Sequence, residues 1–86
     1  MPRISAFYGI QIYMYYDDHA PPHCHAIYAR LDAEVDIRTG LLLEGHLPGR
    51  ARALVAQWVE AYRVELLENW ERARAGQPLA EIPPLE

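Results

Sequence analysis

The spacing of apolar residues changes at Pro48, and that change restricts the fold more than any single motif. Before it, side chains alternate. In Gly9 to Tyr16, GIQIYMYY, the residues Ile10, Ile12, Met14 and Tyr16 fall on one side of an extended strand, and Gln11, Tyr13 and Tyr15 on the other. Ala33 to Arg38 repeats the pattern, with Ala33, Val35 and Ile37 inward and Glu34, Asp36 and Arg38 outward. After Pro48, Ala51, Leu54, Val55, Trp58 and Tyr62 recur at helical spacing, and Leu66, Trp70 and Ala73 extend the stripe. Pro48 suits a first helical position, and Gly76 followed by Pro78 stops the helix. Such a chain is expected to be α+β: a three- to four-stranded antiparallel sheet with one face covered by a C-terminal long or broken helix. Its 86 residues make a single domain, strand-rich over 4–44, helical over 48–75, with an extended tail over 76–86 that lies on the body through Ile82 and Leu85. A straight helix over 48–75 measures about 40 Å, whereas a compact domain of this size is about 30 Å across. Compactness therefore favours a break near Arg63 to Glu65.

Between the clear strands lies DDHAPPHCHA, residues 17–26, which holds three of the four histidines, two adjacent prolines and the only cysteine. Pro21 and Pro22 cannot donate to a ladder, so they mark a loop. A strand is expected from about His23 to Ala29, joined to the next by a hairpin around Arg30 to Asp32. On it Cys24, Ala26 and Tyr28 form the smoother apolar set and face the helices, which sends His23, His25 and Ile27 the other way. Side-matching across the hairpin requires paired residue numbers with an odd sum, placing His25 opposite Asp36 or Arg38. Thr39-Gly40 turns the chain, and Leu41 to Leu43 adds a short edge strand.

His23 and His25, two apart on a strand, point the same way, and His19 can fold back towards them. Several readings stay open. As a metal centre, His19, His23 and His25 supply three nitrogen ligands and Asp17 or Asp18 completes the shell around a divalent ion such as zinc. As a metal-free site, the same histidines do general acid/base work, for instance on an RNA phosphodiester, with Tyr13 assisting and Arg38 stabilising negative charge. As an interaction surface, Tyr15, Ile27 and Asp36 on the uncovered sheet face meet a protein partner or a second copy. The plain alternative is a stiff turn whose imidazoles sit on an exposed face. Cys24 reads as a small core residue, Trp58 and Trp70 as core, His46 as a helix-entry residue, and the Glu68-Arg72 pair as part of a solvated helix surface.

Composition narrows the classes. A formal charge of −4 argues against bulk electrostatic grip on nucleic acid. All eight basic residues are arginine, which either reflects codon usage or serves bidentate contacts to carboxylate or phosphate. One cysteine makes no internal disulfide and fits a reducing cytoplasm. No apolar run approaches the ~20 residues of a membrane span, and no basic-then-apolar leader is seen. Phosphate-binding glycine loops, a Ser/His/Asp order and CxxC pairs are absent from the sequence.

The stretches ISAFYGIQIYMYYDDHAPPHCHA and LLLEGHLPGRARALVAQWVEAYRVELLENWERARAGQPLAEIPPLE resemble a bacterial family of domains of unknown function, number 4160, across nearly the whole chain. The most specific parts are FYGI, DDHAPPHCHA, LPGRA and ELLENWERARAGQPL. The resemblance brings no assigned activity. It implies that any shared site falls on His19, Pro21, Pro22, His23 and His25, which match the family pattern. Relatives carry a larger apolar residue at Cys24, in keeping with a core-facing position, and an acidic or polar residue at His46, which receives no family role. Members resemble one half of small two-gene units, often beside a member of family 2442 of the same series. The resemblance therefore implies a partner-binding component of a toxin–antitoxin-like pair, with that neighbour as partner.

Overall fold

The computed structural model describes residues 2–16 and 18–86. Five strands, β1 Arg3–Phe7, β2 Ile10–Tyr13, β3 His23–Tyr28, β4 Leu31–Asp36 and β5 Leu42–Gly45, form one antiparallel meander in chain order. Two helices follow, α1 Gly49–Ala61 and α2 Arg63–Arg74. The α+β class is as read from the periodicity. The strand count is corrected from three or four to five, because β1 hides in the sequence. Its register slips between Arg3 and Ser5, so Ile4 and Ser5 are buried in succession and the alternation is lost. Tyr8 and Gly9, at φ of 50° and 79°, make the two-residue turn that pairs Phe7 with Ile10.

The β3–β4 hairpin is also corrected. Its turn is Ala29-Arg30, with Ala29 at φ 54° and Tyr28 paired to Leu31, rather than the expected Arg30 to Asp32. The odd parity holds, but His25 faces Glu34, and Asp36 pairs with His23. Arg38 lies past the end of β4, where strand parity no longer governs it.

The helix-facing side of the sheet carries Ile10, Ile12, Met14, Cys24, Ala26, Ala33, Val35 and Ile37, all fully or nearly fully buried. Tyr16, grouped with this side by alternation, is exposed because β2 ends at Tyr13. Against this layer α1 buries Ala51, Val55, Trp58 and Val59, and α2 buries Leu66, Trp70 and Ala73. Each large apolar side chain so buried contributes ~1.5–3 kcal/mol. The helices part at Tyr62, where φ is −119°, with neither glycine nor proline at the break. Arg63 Nε donates to the Ile37 carbonyl at 3.0 Å and fixes the start of α2 against the end of the sheet. The bend lets both stripes reach one sheet within overall dimensions of 33 × 25 × 23 Å. Pro48 precedes α1 as its cap rather than opening it.

Gly76, at φ 71°, ends α2: its N–H bonds the Ala73 carbonyl at 3.3 Å, and the next N–H, of Gln77, bonds the Arg72 carbonyl at 2.8 Å. The tail then runs back over the body. Asn69 Nδ2 donates to the Ala80 carbonyl at 2.8 Å and its Oδ1 accepts the Ala80 N–H at 2.9 Å. Trp58 Nε1 donates to the Pro83 carbonyl at 2.8 Å, and the Ile82 N–H bonds the Ile4 carbonyl at 2.8 Å. Among the described residues no helix is long and apolar enough to cross a membrane.

Candidate metal centre

The loop before β3 and the first half of β3 bring Asp18, His19, His23 and His25 together, and β4 adds Glu34. The short strand ladder does the positioning. His23 and His25 are successive same-side residues of β3, and their rings lie 5.1 Å apart in an edge-to-face arrangement. His19 leans back from the loop until its ring is 5.0 Å from that of His23.

His23 departs from expectation. Instead of lying on an open sheet face, it is 1% exposed, and its ring packs on Trp70 of α2 with centroids 5.3 Å apart. Its neighbour Cys24 points into the core as expected, so the alternation is intact. The burial arises because α2 and the loop close over the start of β3 from either side. His23 Nδ1–H donates to the Pro21 carbonyl at 2.7 Å. In the neutral ring that bond leaves Nε2 with a lone pair and no proton. Nε2 lies 3.1 Å from Asp18 Oδ2 and 3.5 Å from Glu34 Oε1, two groups that only accept when ionised, and among the described residues it has no hydrogen-bond partner. In that neutral form the short approach to Asp18 sets two lone-pair-bearing atoms together, a contact that a proton or a cation on Nε2 relieves. His25 Nε2 stands 3.0 Å from the same Asp18 oxygen, while His19 Nδ1 lies 3.1 Å from Asp18 Oδ1 and its Nε2 3.8 Å from Glu34 Oε1.

The electrostatics follow from this crowding. Burial on its own raises the Asp18 carboxyl. The hydrogen bond with His25, the His19 backbone N–H and the charges of His23 and His25 outweigh it and hold Asp18 below the ordinary carboxylate value. Tyr15, edge-on to His25 at 4.5 Å, is pushed up by burial first and then by Asp32, Tyr13 and Asp18. Burial pushes the Cys24 thiol up to about 12, leaving it a neutral core group.

Of the residues singled out from the sequence, His19, His23, His25 and Asp18 converge. Asp17 lies outside the described residues. Tyr15 lines the cluster through its contact with His25, and Tyr13 stands one ring further out, stacked on Tyr15 at 6.4 Å with its hydroxyl donating to Gln11 Oε1 at 3.1 Å. Asp36 caps the following turn by accepting the Arg38 N–H at 2.7 Å. The Arg38 side chain is exposed and, among the described residues, joins no ion pair with the cluster. Ile27 is half-buried. Glu34, left without a role in the sequence, is the residue that completes the site. Only the hairpin register reveals it: once the turn is set at Ala29-Arg30, Glu34 stands opposite His25.

The donor set holds three imidazole nitrogens and two carboxylates, the mixture that suits zinc and the other first-row divalent ions better than magnesium or calcium. Two geometric triads share His23, namely Asp18, His23 and His25, and His19, His23 and Glu34, with the ligand atoms of each within 4.8 Å of one another. Because Nδ1 of His23 is committed to Pro21, both triads draw on the same Nε2, so the centre holds one ion at a time. The Nδ1–H to carbonyl bond is the usual second contact of a metal-bound imidazole, fixing tautomer and ring plane.

No curated protein and no solved structure matches the chain. A family model described as "Domain of unknown function (DUF4160)" matches residues 9–71, which run from β2 into α2 and take in the whole cluster while leaving out β1 and the tail. With that match over well more than half its length, the chain belongs to this family of domains of unknown function.

Proposed function

We propose that the protein binds one divalent transition-metal ion, zinc or a first-row neighbour, through Asp18, His23, His25 and Glu34 with His19 as outer ligand, and that it acts through that ion. The observation that carries this reading is the buried Nε2 of His23, which points at two carboxylates and, in the neutral ring with Nδ1–H committed to Pro21, offers them only a lone pair. Something positive belongs between them. Protonating His23 alone would serve one contact, but His19 and His25 also face Asp18, and imidazolium rings on either side of His23, each about 5 Å from it, would repel it. A single dication on His23 Nε2 relieves that contact and draws on the nitrogen and carboxylate donors of the triads that share it. The test is metal analysis and competitive titration of the untagged protein at pH 7.5. About one equivalent of zinc or cobalt per chain is expected, lost as pH falls and protons compete for the imidazoles. Uptake below about a tenth of an equivalent, for all of zinc, cobalt, nickel and iron, overturns the reading.

A second reading is supported by where apolar side chains stay exposed. Leu41, just before β5, and Leu43, within this edge strand, are 66% and 41% exposed, and Val64 on α2 is 68% exposed. These exposed side chains suit a cytoplasmic partner-binding component of a toxin–antitoxin-like pair, and they add β5 and α2 to the candidate contacts Tyr15, Ile27 and Asp36. Co-elution with the family-2442 neighbour at micromolar concentration, lost in Leu43→Glu, is the expected outcome. Independent elution of the two wild-type proteins counts against it.

A further inference from the structure

We infer that His19 is an exchangeable ligand of this centre, and that the position it vacates takes a neutral donor rather than an anion. The inference rests on the metal-binding reading and deepens it: it makes the centre one that exchanges ligands, not a closed structural clamp.

The ligands differ in how they are held. His23 and His25 are fixed in the β3 ladder, His23 under Trp70 and His25 against Tyr15. Glu34 is fixed in β4 by its pairing with His25. Asp18 is tied by the His19 backbone N–H at 3.0 Å and by His25. The His19 side chain is 71% exposed, against 14% for His25, 16% for Asp18, 19% for Glu34 and 0% for His23. It stands on a loop with no ladder partner, and its Nε2 is 3.8 Å from Glu34 Oε1, the loosest of the contacts. Holding that imidazole on the ion costs rotamer freedom that the strand-borne ligands have already given up. When it swings away the centre keeps two imidazoles and two carboxylates, and the fifth position it leaves can be taken by another donor, as when a zinc site expands to five-coordinate.

The chemistry of the incoming group follows from charge. Asp18 and Glu34 already neutralise a dication. A groove of about 280 Å³, lined by His25, Glu34, Asp32, Glu44 and Gly45, abuts the centre through its two shared residues and adds two further carboxylates. Among the described residues no arginine lines it. Phosphate, carboxylate or azide approaching along this wall meets like charge, whereas a neutral nitrogen donor, alone or on a cationic molecule, does not.

Cobalt(II) makes this measurable, since its visible spectrum reports coordination. In the cobalt-loaded protein at pH 7.5, imidazole is expected to shift the bands saturably with cobalt retained, while azide at equal concentration leaves them unchanged. In His19→Ala the intramolecular competitor is gone, so imidazole binds about tenfold tighter, and cobalt affinity falls by less than about tenfold. In His23→Ala cobalt affinity collapses, which marks the centre itself. Three results overturn the inference while leaving the metal centre standing: His19→Ala losing cobalt as completely as His23→Ala, equal imidazole affinity with and without His19, or azide binding in preference to imidazole. Failure of the wild-type protein to take up cobalt or zinc instead removes the metal reading on which the inference stands.

Discussion

Two buried polar side chains meet at Trp70, and they are in opposite states. Asn69, beside it in α2, is 1% exposed and spends its amide on both backbone groups of Ala80. His23, packed on the Trp70 ring, is equally buried and leaves Nε2 without a partner against two carboxylates. Burial does not distinguish a structural polar group from a functional one. What does is whether the donors and acceptors close on each other. The Asn69 pair is closed and ties the tail to α2, so it has nothing left to bind. The His23 side is open, and it is open toward ligand-type groups.

The sharpest way to break this contrast is to remove each member. His23→Ala should cost the centre at least about a thousandfold in zinc affinity, ~4 kcal/mol, and abolish any rise of thermal midpoint on adding zinc. Without metal the same variant should unfold little below wild type, because the lost Trp70 contact is offset by removing a lone pair set against carboxylates. If zinc still stabilises His23→Ala as it does the wild type, the open side has been misassigned. Asn69→Ala is the mirror case. It strands the Ala80 N–H and carbonyl and should destabilise the fold by about 2–3 kcal/mol in urea, with zinc affinity unchanged. A loss of zinc binding there would mean that the tail anchor and the centre are one unit.

Asp18→Asn sharpens the comparison by attempting to convert one state into the other. With its nitrogen in the place of Oδ2, an amide at position 18 can donate one N–H to His23 Nε2 and the other to His25 Nε2 while its oxygen still accepts the His19 backbone N–H, closing the site as Asn69 closes on Ala80. The metal-free protein should then gain about 1 kcal/mol of stability while zinc affinity drops. Stability and zinc affinity falling together would show that Asp18 anchors the loop and does not merely wait for an ion.

The halves of this contrast were unequally legible in the sequence. Alternation correctly sent Cys24 and Ala26 inward and His25 to the other side, and the helical stripe located Trp58, Leu66 and Trp70 in the core. Those are one-dimensional properties, carried by the repeat of each element. Glu34 was not legible as a ligand, because its place opposite His25 depends on a turn at Ala29, a non-glycine residue at positive φ that carries no turn signature. The burial of His23 was not legible either: it needs α2 to bend at Tyr62 and lay Trp70 over the start of β3, a long-range event with no glycine or proline to announce it. Arg38 stands past the end of β4, which stops at Asp36, and β1 was missed because its bulge erases the alternation.

Cys24 supplies the finest test, since it is the third kind of buried group: fully enclosed, ionisable, and with no charged partner. Its thiol stands at about 12 in the folded chain against an ordinary 9.0, so the folded state keeps the proton that the unfolded state begins to lose near pH 9. Between those values the native state binds more protons than the unfolded one, and stability must fall as pH rises; below about pH 8 the contribution is fully present. The chain has no lysine, so no ε-ammonium titration overlies the first part of this window. Urea unfolding should therefore show a downward slope from pH 8 to 9.5 in the wild type, and a flatter one in Cys24→Ala, whatever that variant loses in packing. Native-state alkylation at pH 8 should be slow and should accelerate with added urea, because the thiolate exists only in opened molecules. Fast labelling without denaturant, or identical slopes for the two proteins, would place the sulfur at the surface. It would also cancel the alternation along β3 that sets His23 and His25 on the opposite side from Cys24.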